Sequence, residues 1–126
     1  MLKNLLVIEQ DAVGLKQVSW FPSAEYLISH GDGNDNIFIL IAKFKPDLIL
    51  IENQRSDRSG AIISSEIKHN PHTSSIPVGL FSSLPLLKAD ISVSHANFFF
   101  EKSISASALK EMVEQNTMTK IYYDEY

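Results

Sequence analysis

Residues 46–60, PDLILIENQRSDRSG, contain the stretch that decides the fold. Four consecutive apolar residues, Leu48 to Ile51, run directly into the carboxylate of Glu52 and then into a polar loop. A short apolar run without alternation is typical of a strand that is buried on both faces of a sheet. The sequence therefore predicts such a strand here, with an acid at its carboxyl end.

Similar runs recur on both sides of this stretch and alternate with helical patterns. We predict five strands, over residues 5–8, 26–28, 48–51, 76–81 and 98–100. Amphipathic spacing predicts helices over residues 34–45, 61–69 and 106–120, the last with Ser105 as its N-cap. Residues 12–21 and 84–94 have weaker helical character. Strands that alternate with helices indicate an α/β fold, a parallel sheet with helices on both faces.

The composition excludes several classes of function. The 126 residues are enough for one domain with its own core. Eleven basic and 15 acidic side chains give a net charge of -4, which does not favour binding to nucleic acid or an anionic membrane. The absence of cysteine excludes disulfides and thiolate catalysis. No apolar run approaches the ~20 residues that span a bilayer, and the N-terminal apolar stretch is too short for a signal peptide, so we expect a cytoplasmic protein.

Polar side chains follow four of the predicted strands. Ligand and reaction sites of open parallel sheets lie at the carboxyl ends of the strands. The candidate site residues at this edge are Glu9, Gln10, Asp11, Glu52, Ser82, Ser83, Glu101 and Lys102.

Four stretches, taken in order, resemble one known family. LLVIEQD, PDLILIE, IPVGLFSS and ANFFFEKS are similar to motifs of the receiver domain of bacterial two-component response regulators. The resemblance covers essentially the whole chain. It implies a flavodoxin-like, doubly wound, five-stranded parallel sheet with strand order 2-1-3-4-5 and helices on both faces. It also implies a single domain over residues 1–126, with residues 121–126, IYYDEY, as a C-terminal tail.

The resemblance assigns a position to each candidate residue. Glu52 falls on the phosphoacceptor aspartate and Gly60 on the loop glycine that follows it. Ser82 takes the place of the switch hydroxyl, and Lys102 takes that of the lysine that binds the phosphoryl group. Phe99 falls on the aromatic switch position.

The acidic pocket departs from the family pattern. Glu9 and Gln10 fall on the acidic pair after the first strand, so a neutral amide stands where a metal-ligating acid is expected. Asp11 is one residue further on. We therefore expect no cofactor and no metal site. Weak Mg²⁺ binding at Glu9, Asp11 and Glu52 is expected only if the pocket is still functional.

Other departures from the family pattern also indicate that the site is degenerate. Glu52 replaces the nucleophile, and Ser56 and Ser103 replace two prolines of the family pattern. The longer carboxylate of Glu52 could reach Lys102 and Ser82, which would hold the site permanently in an arrangement like the activated one. The interpretation is a degenerate receiver, or pseudo-receiver, that has lost phosphorylation.

The leading functional hypothesis is a non-enzymatic signalling module of a phosphorelay that binds a protein. The partner would be a histidine kinase or a downstream signalling protein. The chain could also form a homodimer through one face, made of the fourth predicted helical segment (84–94), the fifth strand (98–100) and the fifth helical segment (106–120). The alternative is a working receiver that accepts a phosphoryl group from a histidine kinase at this unusual site. A flavin or nucleotide carrier is disfavoured, because no glycine-rich phosphate loop is present.

Each candidate also has a purely structural interpretation. Glu52 and Lys102 would form an ordinary salt bridge, Ser82 would bond the backbone, and Phe99 would be a static core residue. His69 and His72 are read as part of a solvated loop rather than as metal ligands. The tail would be a frayed end instead of a docking motif.

Overall fold

The computed structural model describes residues 2–9, 25–31, 35–53 and 60–124, with side chains as far as residue 117. The predicted helical segment 12–21 lies outside these residues, and so do Gln10, Asp11 and Ser56.

Five parallel strands form one sheet. They are β1 (Lys3–Ile8), β2 (Tyr26–Gly31), β3 (Leu48–Glu52), β4 (Val78–Ser82) and β5 (Phe98–Glu101). The strand order is β2-β1-β3-β4-β5, and every neighbouring pair is parallel. The predicted fold class, flavodoxin-like with order 2-1-3-4-5, is confirmed.

Four helices accompany the sheet in the described part of the chain: α1 (Ile37–Phe44), α2 (Gly60–His69), α3 (Lys88–Ser94) and α4 (Ala106–Asp124). Helix α1 is shorter than predicted, because the Asn36 side chain caps its first turn and Lys45 ends it in the left-handed conformation. Helix α4 begins after Ser105, whose hydroxyl accepts a hydrogen bond from the Ala108 amide, as predicted. It continues to Asp124, so residues 121–124 of the segment interpreted as a tail are helical. None of these helices is both long and apolar enough to span a membrane.

The core consists of two apolar layers, one on each face of the sheet. One layer joins β1, β3 and β4 to α1 and α2, with Ile41 and Ile67 among the helix residues. The other joins the sheet to α4 through Leu109 and Val113. Strand β3 contributes alternate side chains to both layers, and Leu48 to Ile51 are all fully buried. Burial on both faces therefore follows directly from the central position of β3.

Phe99 corrects one prediction of the sequence analysis. The structural interpretation of Phe99 as a static core residue is wrong, because Phe99 is 37% exposed while Phe98 and Phe100 are buried. Because β5 is an edge strand and successive side chains point to opposite faces, one residue of the run reaches solvent. Phe100 instead stacks on Phe81, with 5.5 Å between the ring centroids.

Alanine substitutions at these two positions should differ strongly in their effect on stability. Phe100→Ala should lower the free energy of unfolding by about 3–5 kcal/mol, because it leaves a cavity beside Phe81. Phe99→Ala should lower it by about 1 kcal/mol or less, as for other exposed positions. Urea denaturation of the two variants measures both values. Equal losses would contradict the edge position of Phe99.

His30 is a titratable group of β2 and lies beside Val7 of β1. Its Nε2 atom is buried and has no hydrogen-bond partner among the residues that the structure describes. Burial lowers the pKa of the imidazole below its ordinary value of 6.5, because the charged form is desolvated. The folded protein therefore favours neutral His30.

This shift predicts that His30 makes stability depend on pH. Below pH 6.5 the unfolded chain protonates this histidine, while the folded chain resists until the lower pKa is reached. The free energy of unfolding should therefore fall as the pH is lowered through this window. Urea denaturation at pH 7.5 and pH 5.0 should show a smaller fall for His30→Gln than for the wild type. The control is His72→Gln on an exposed loop, which should keep the wild-type fall, and identical pH profiles for all three proteins would refute this role of His30.

Candidate functional site

The register of the sheet brings the predicted site residues to one edge. Ile8, the last residue of β1, lies beside Ile51 of β3. Glu9, directly after β1, and Glu52, the last residue of β3, therefore lie at neighbouring strand ends. On the other side, Glu52 lies beside Phe81 of β4. Ser82 in turn lies beside Glu101 of β5. The aligned carboxyl ends thus carry three carboxylates, a hydroxyl and, one residue beyond β5, the ammonium of Lys102.

An ion pair joins Glu52 to Lys102. The Lys102 Nζ donates to the Glu52 Oε2 across 3.1 Å, and the side chains are 13% exposed for Glu52 and 16% for Lys102. The same Nζ lies 5.5 Å from the centroid of the Phe81 ring, within range of a cation–π contact. The pair is partly desolvated, so its attraction exceeds that of an exposed pair and solvent still screens part of it.

Backbone hydrogen bonds fix the chain on both sides of this pair. The Asn53 amide donates to the Phe81 carbonyl at 2.8 Å, and the Lys102 amide donates to the Ser82 carbonyl at 2.9 Å. Both bonds extend the sheet pairing by one residue past the strand ends. Glu52 and Lys102 are therefore presented from rigid backbone rather than from free loops.

Ser82 is buried at the end of β4, and its hydroxyl accepts a hydrogen bond from the Leu84 amide at 3.1 Å. This bond stabilises the turn after β4. It is the backbone role that the sequence analysis gave as the alternative to a switch hydroxyl.

Glu9 is 3% exposed at the end of β1, and its amide donates to the Gly31 carbonyl. A buried carboxyl group therefore lies at the end of the strand that is paired with the one carrying Glu52. In residues 2–9, 25–31, 35–53 and 60–124, no cluster of three or more side chains of the kinds that ligate metals is found. Gln10 and Asp11 lie outside this part of the chain, so weak Mg²⁺ binding stays a prediction.

Gly60 allows α2 to begin directly against the end of β3. A Cβ atom at this position would collide with the Glu52 carbonyl oxygen and lie 2.8 Å from the Cα atom of Asn53. The contact is with backbone, which cannot turn aside as a side chain can. The close approach of this backbone therefore requires a glycine at position 60, which resembles the family's loop glycine.

Asn53 and Asp90 are site residues that the sequence analysis missed. The Asn53 side chain accepts from the Ala61 amide at 3.0 Å and donates to the Asp90 carboxylate at 3.0 Å. An asparagine just after a strand and before a helix is a recognisable capping signal, and it could have been found from the sequence. Its link to Asp90, 37 residues away, could not.

The histidines near the end of α2 take structural roles. The His69 Nδ1 atom lies 2.7 Å from the Ser65 carbonyl oxygen, and its ring packs edge-on against His95 with centroids 4.8 Å apart. His95 occupies the left-handed position that ends α3. His72 is exposed in the following turn, where its amide donates to the Asn70 side chain.

Breaking the ion pair should destabilise the protein non-additively. Glu52→Gln and Lys102→Met should each lower the free energy of unfolding by about 1–2 kcal/mol, between the values for exposed and buried pairs. The double variant should lose less than the sum, because neither residue is then left with an uncompensated charge. A double-mutant cycle in urea measures this coupling. Strict additivity would mean that the pair contributes nothing.

The chain was compared with known proteins. No protein-family model and no curated protein sequence matches it. Solved structures do match. The CheY-like response regulator receiver domain from Methylobacillus flagellatus superimposes with a TM-score of 0.74 at 14% identity, over 91% of this chain and 98% of that one. The signal receiver domain of a signal transduction histidine kinase from Syntrophus aciditrophicus gives a TM-score of 0.76 at 18% identity, over 91% and 89%.

A third match is the phosphorylated cyanobacterial phytochrome response regulator RcpA, with a TM-score of 0.66 at 20% identity over 95% of this chain and 96% of that one. At these identities the similarity is one of fold. The chain thus has the flavodoxin-like fold of response regulator receiver domains.

Proposed function

We propose that this protein is a receiver-type module of two-component signalling that acts without phosphorylation, by binding a protein partner. The single observation that carries the proposal is the 3.1 Å contact between Glu52 and Lys102. The receiver fold and the order of the motifs support the class of function. The proposal assigns the protein no enzymatic activity.

The ion pair explains why phosphoryl transfer should fail. In the receiver mechanism that the resemblance implies, the lysine at this position binds the phosphoryl oxygens. Here its ammonium already contacts a carboxylate, which a phosphoryl group would have to displace. The extra methylene of glutamate also shifts the attacking oxygens by roughly 1.5 Å, and misplacement of that size can slow a reaction about 100-fold. Glu52 would then stand in permanently for the phosphorylated state.

The partner surface that we propose consists of α3, β5 and α4. Large apolar side chains are exposed there although the protein has a well-formed core, namely Leu87 and Val93 before and in α3 and Phe99 in β5. Exposed apolar side chains on neighbouring elements support a protein-binding surface there. The partner would be a histidine kinase, a downstream signalling protein or a second copy of the chain.

A working phosphoacceptor remains the second candidate, because two carboxylates are retained at the site. Glu9 is buried at the end of β1 and Glu52 ends the adjacent β3. If this pocket is functional, Mg²⁺ would be held by Glu9, Asp11 and Glu52. The Mg²⁺ ion would neutralise the phosphoryl charge there. No other cofactor is proposed for this pocket.

Treatment with acetyl phosphate and Mg²⁺ separates these two functions. The wild-type protein should stay unmodified in intact-protein mass spectra, because its nucleophile is displaced and its lysine is occupied. Stable, stoichiometric phosphorylation of Glu52 would overturn the proposal in favour of the second candidate.

The matched control is Glu52→Asp, which restores the shorter carboxylate of the family pattern. A phosphorylated control beside an unmodified wild type would show that Glu52 alone blocks the reaction. An NMR titration with Mg²⁺ and beryllofluoride gives a second readout. Wild-type amide shifts should not cluster around Glu9, Glu52, Ser82 and Lys102.

A further inference from the structure

Two histidine rings meet where α2 and α3 end. His69 is the last residue of α2, and His95 is the C-cap that follows α3. Their ring centroids lie 4.8 Å apart, and both residues are exposed, so solutes can reach them. Crossover helices of a parallel sheet run back from the carboxyl ends of the strands to the amino ends. The pair therefore lies at the edge of the sheet opposite to Glu52.

The contacts of His69 determine which of its ring nitrogens carries the proton. Its Nδ1 atom lies 2.7 Å from the Ser65 carbonyl oxygen and 3.2 Å from the Ser65 hydroxyl. A carbonyl oxygen can only accept a hydrogen bond, so Nδ1 is protonated and Nε2 carries the lone pair of the neutral ring. Metal-binding histidines have the same arrangement, in which one ring N–H donates to a backbone carbonyl and the other nitrogen binds the ion. Ser65 thus orients His69 with Nε2 available as a ligand.

His95 is positioned by its backbone. Its φ of 52° lies in the left-handed region, which glycine or asparagine usually occupies after a helix. The residue before it, Ser94, is fully buried, and its carbonyl accepts from the hydroxyl of buried Ser64 in α2 at 2.8 Å. Among the residues that the structure describes, the His95 ring has no hydrogen bond or ion pair and contacts the His69 ring. Its ring nitrogens are therefore available to a ligand while its backbone is held against α2.

The spacing and the local charge both suit a bound cation. Zn²⁺ binds imidazole nitrogen at about 2.0–2.1 Å, which places the centroids of two rings on one tetrahedral ion roughly 5 Å apart. The observed 4.8 Å is close to this value. Helix C-termini carry partial negative charge, and two of them meet here. The neighbouring ammonium of Lys68 is engaged elsewhere, because it donates to the Ile76 carbonyl and the Asn97 side chain, each at 2.9 Å.

We propose that His69 and His95 form a surface site for Zn²⁺ that bridges α2 and α3. His69 binds the ion through Nε2, and a turn of the exposed His95 ring directs one of its nitrogens at the same ion. Water completes the coordination, since no group of three or more metal-ligating side chains is found within the described part of the chain. Two protein ligands make the site weaker than a structural zinc site, which has four. Imidazole ligands favour zinc over Mg²⁺, which prefers oxygen.

The sequence pointed to a different pair of histidines. His69 and His72 are close along the chain, but the structure places His72 in the following turn, where its amide donates to the Asn70 side chain. His95 comes from another helix end and is the ring that contacts His69. The zinc site does not depend on the proposed function, because neither histidine belongs to the site of Glu52.

Titration of the full chain with ZnCl₂, followed by NMR of the histidine ring nitrogens, tests the site. The signals of His69 and His95 should shift together and saturate at one ion per chain, while those of His30 and His72 stay in place. Urea denaturation gives a second readout, because an ion that binds only the folded state raises the free energy of unfolding as its concentration rises. MgCl₂ at the same concentrations should change neither readout.

Two variants remove the ligands one at a time. His69→Gln and His95→Asn should each weaken Zn²⁺ binding by about tenfold or more, because losing even an outer-shell partner of a metal ligand costs about 10–100-fold. Asparagine tolerates the left-handed backbone, so His95→Asn should keep the metal-free stability of the wild type. The matched control is His72→Gln, which removes an exposed histidine of the neighbouring turn and should bind Zn²⁺ as the wild type does.

Three results would overturn the zinc site. One is a loss of affinity in only one of the two ligand variants, and another is an equal loss in His72→Gln. The third is a wild type whose ring signals stay unchanged in a large excess of Zn²⁺, which would make the contact between His69 and His95 one of packing alone. Phosphorylation of Glu52 by acetyl phosphate would overturn the proposed function and leave this test unaffected.

Discussion

Burial of β3 on both faces is the constraint on which the rest of the structure depends. Leu48 to Ile51 lose all contact with solvent, and their side chains alternate between two separate apolar layers. One layer requires α1 and α2, and the other requires α4. Since parallel neighbours must be joined by crossovers, a strand buried in this way fixes the layered α/β architecture and places every strand end at the same edge.

The same constraint gives the Glu52–Lys102 pair its properties. Glu52 is the last residue of β3, so its carboxylate leaves the buried run Leu48 to Ile51 at the point where solvent begins. Its backbone is held by pairing to β4, and Lys102 is presented from the end of the edge strand. A carboxylate in this position is partly desolvated and gains from a nearby cation. The pair thus satisfies a local electrostatic need at the edge of the sheet where the candidate site residues gather.

Helix α3 is anchored differently from the other helices that the structure describes. The other described helices bury apolar residues in one of the two layers, whereas α3 buries Ser94 and forms hydrogen bonds to Asn53 and Ser64. Such bonds are directional and individually weak, so they can be exchanged at low free-energy cost, whereas a packed core cannot. The exposed side chains of Leu87 and Val93 thus lie at and on a helix that polar contacts help to hold in place.

The sequence by itself determined the strands, the α/β class and the edge at which Glu9, Glu52, Ser82 and Lys102 gather, because apolar periodicity and the residues that follow each run are local properties of the chain. Only the tertiary structure decided which of these groups touch. Glu52 and Lys102 are 50 residues apart, and their contact depends on strand order and register. The exposure of Phe99 follows from the edge position of β5, which three consecutive phenylalanines do not encode. The Asn53–Asp90 bond likewise requires α3 to lie beside the end of β3, and no local pattern specifies that placement.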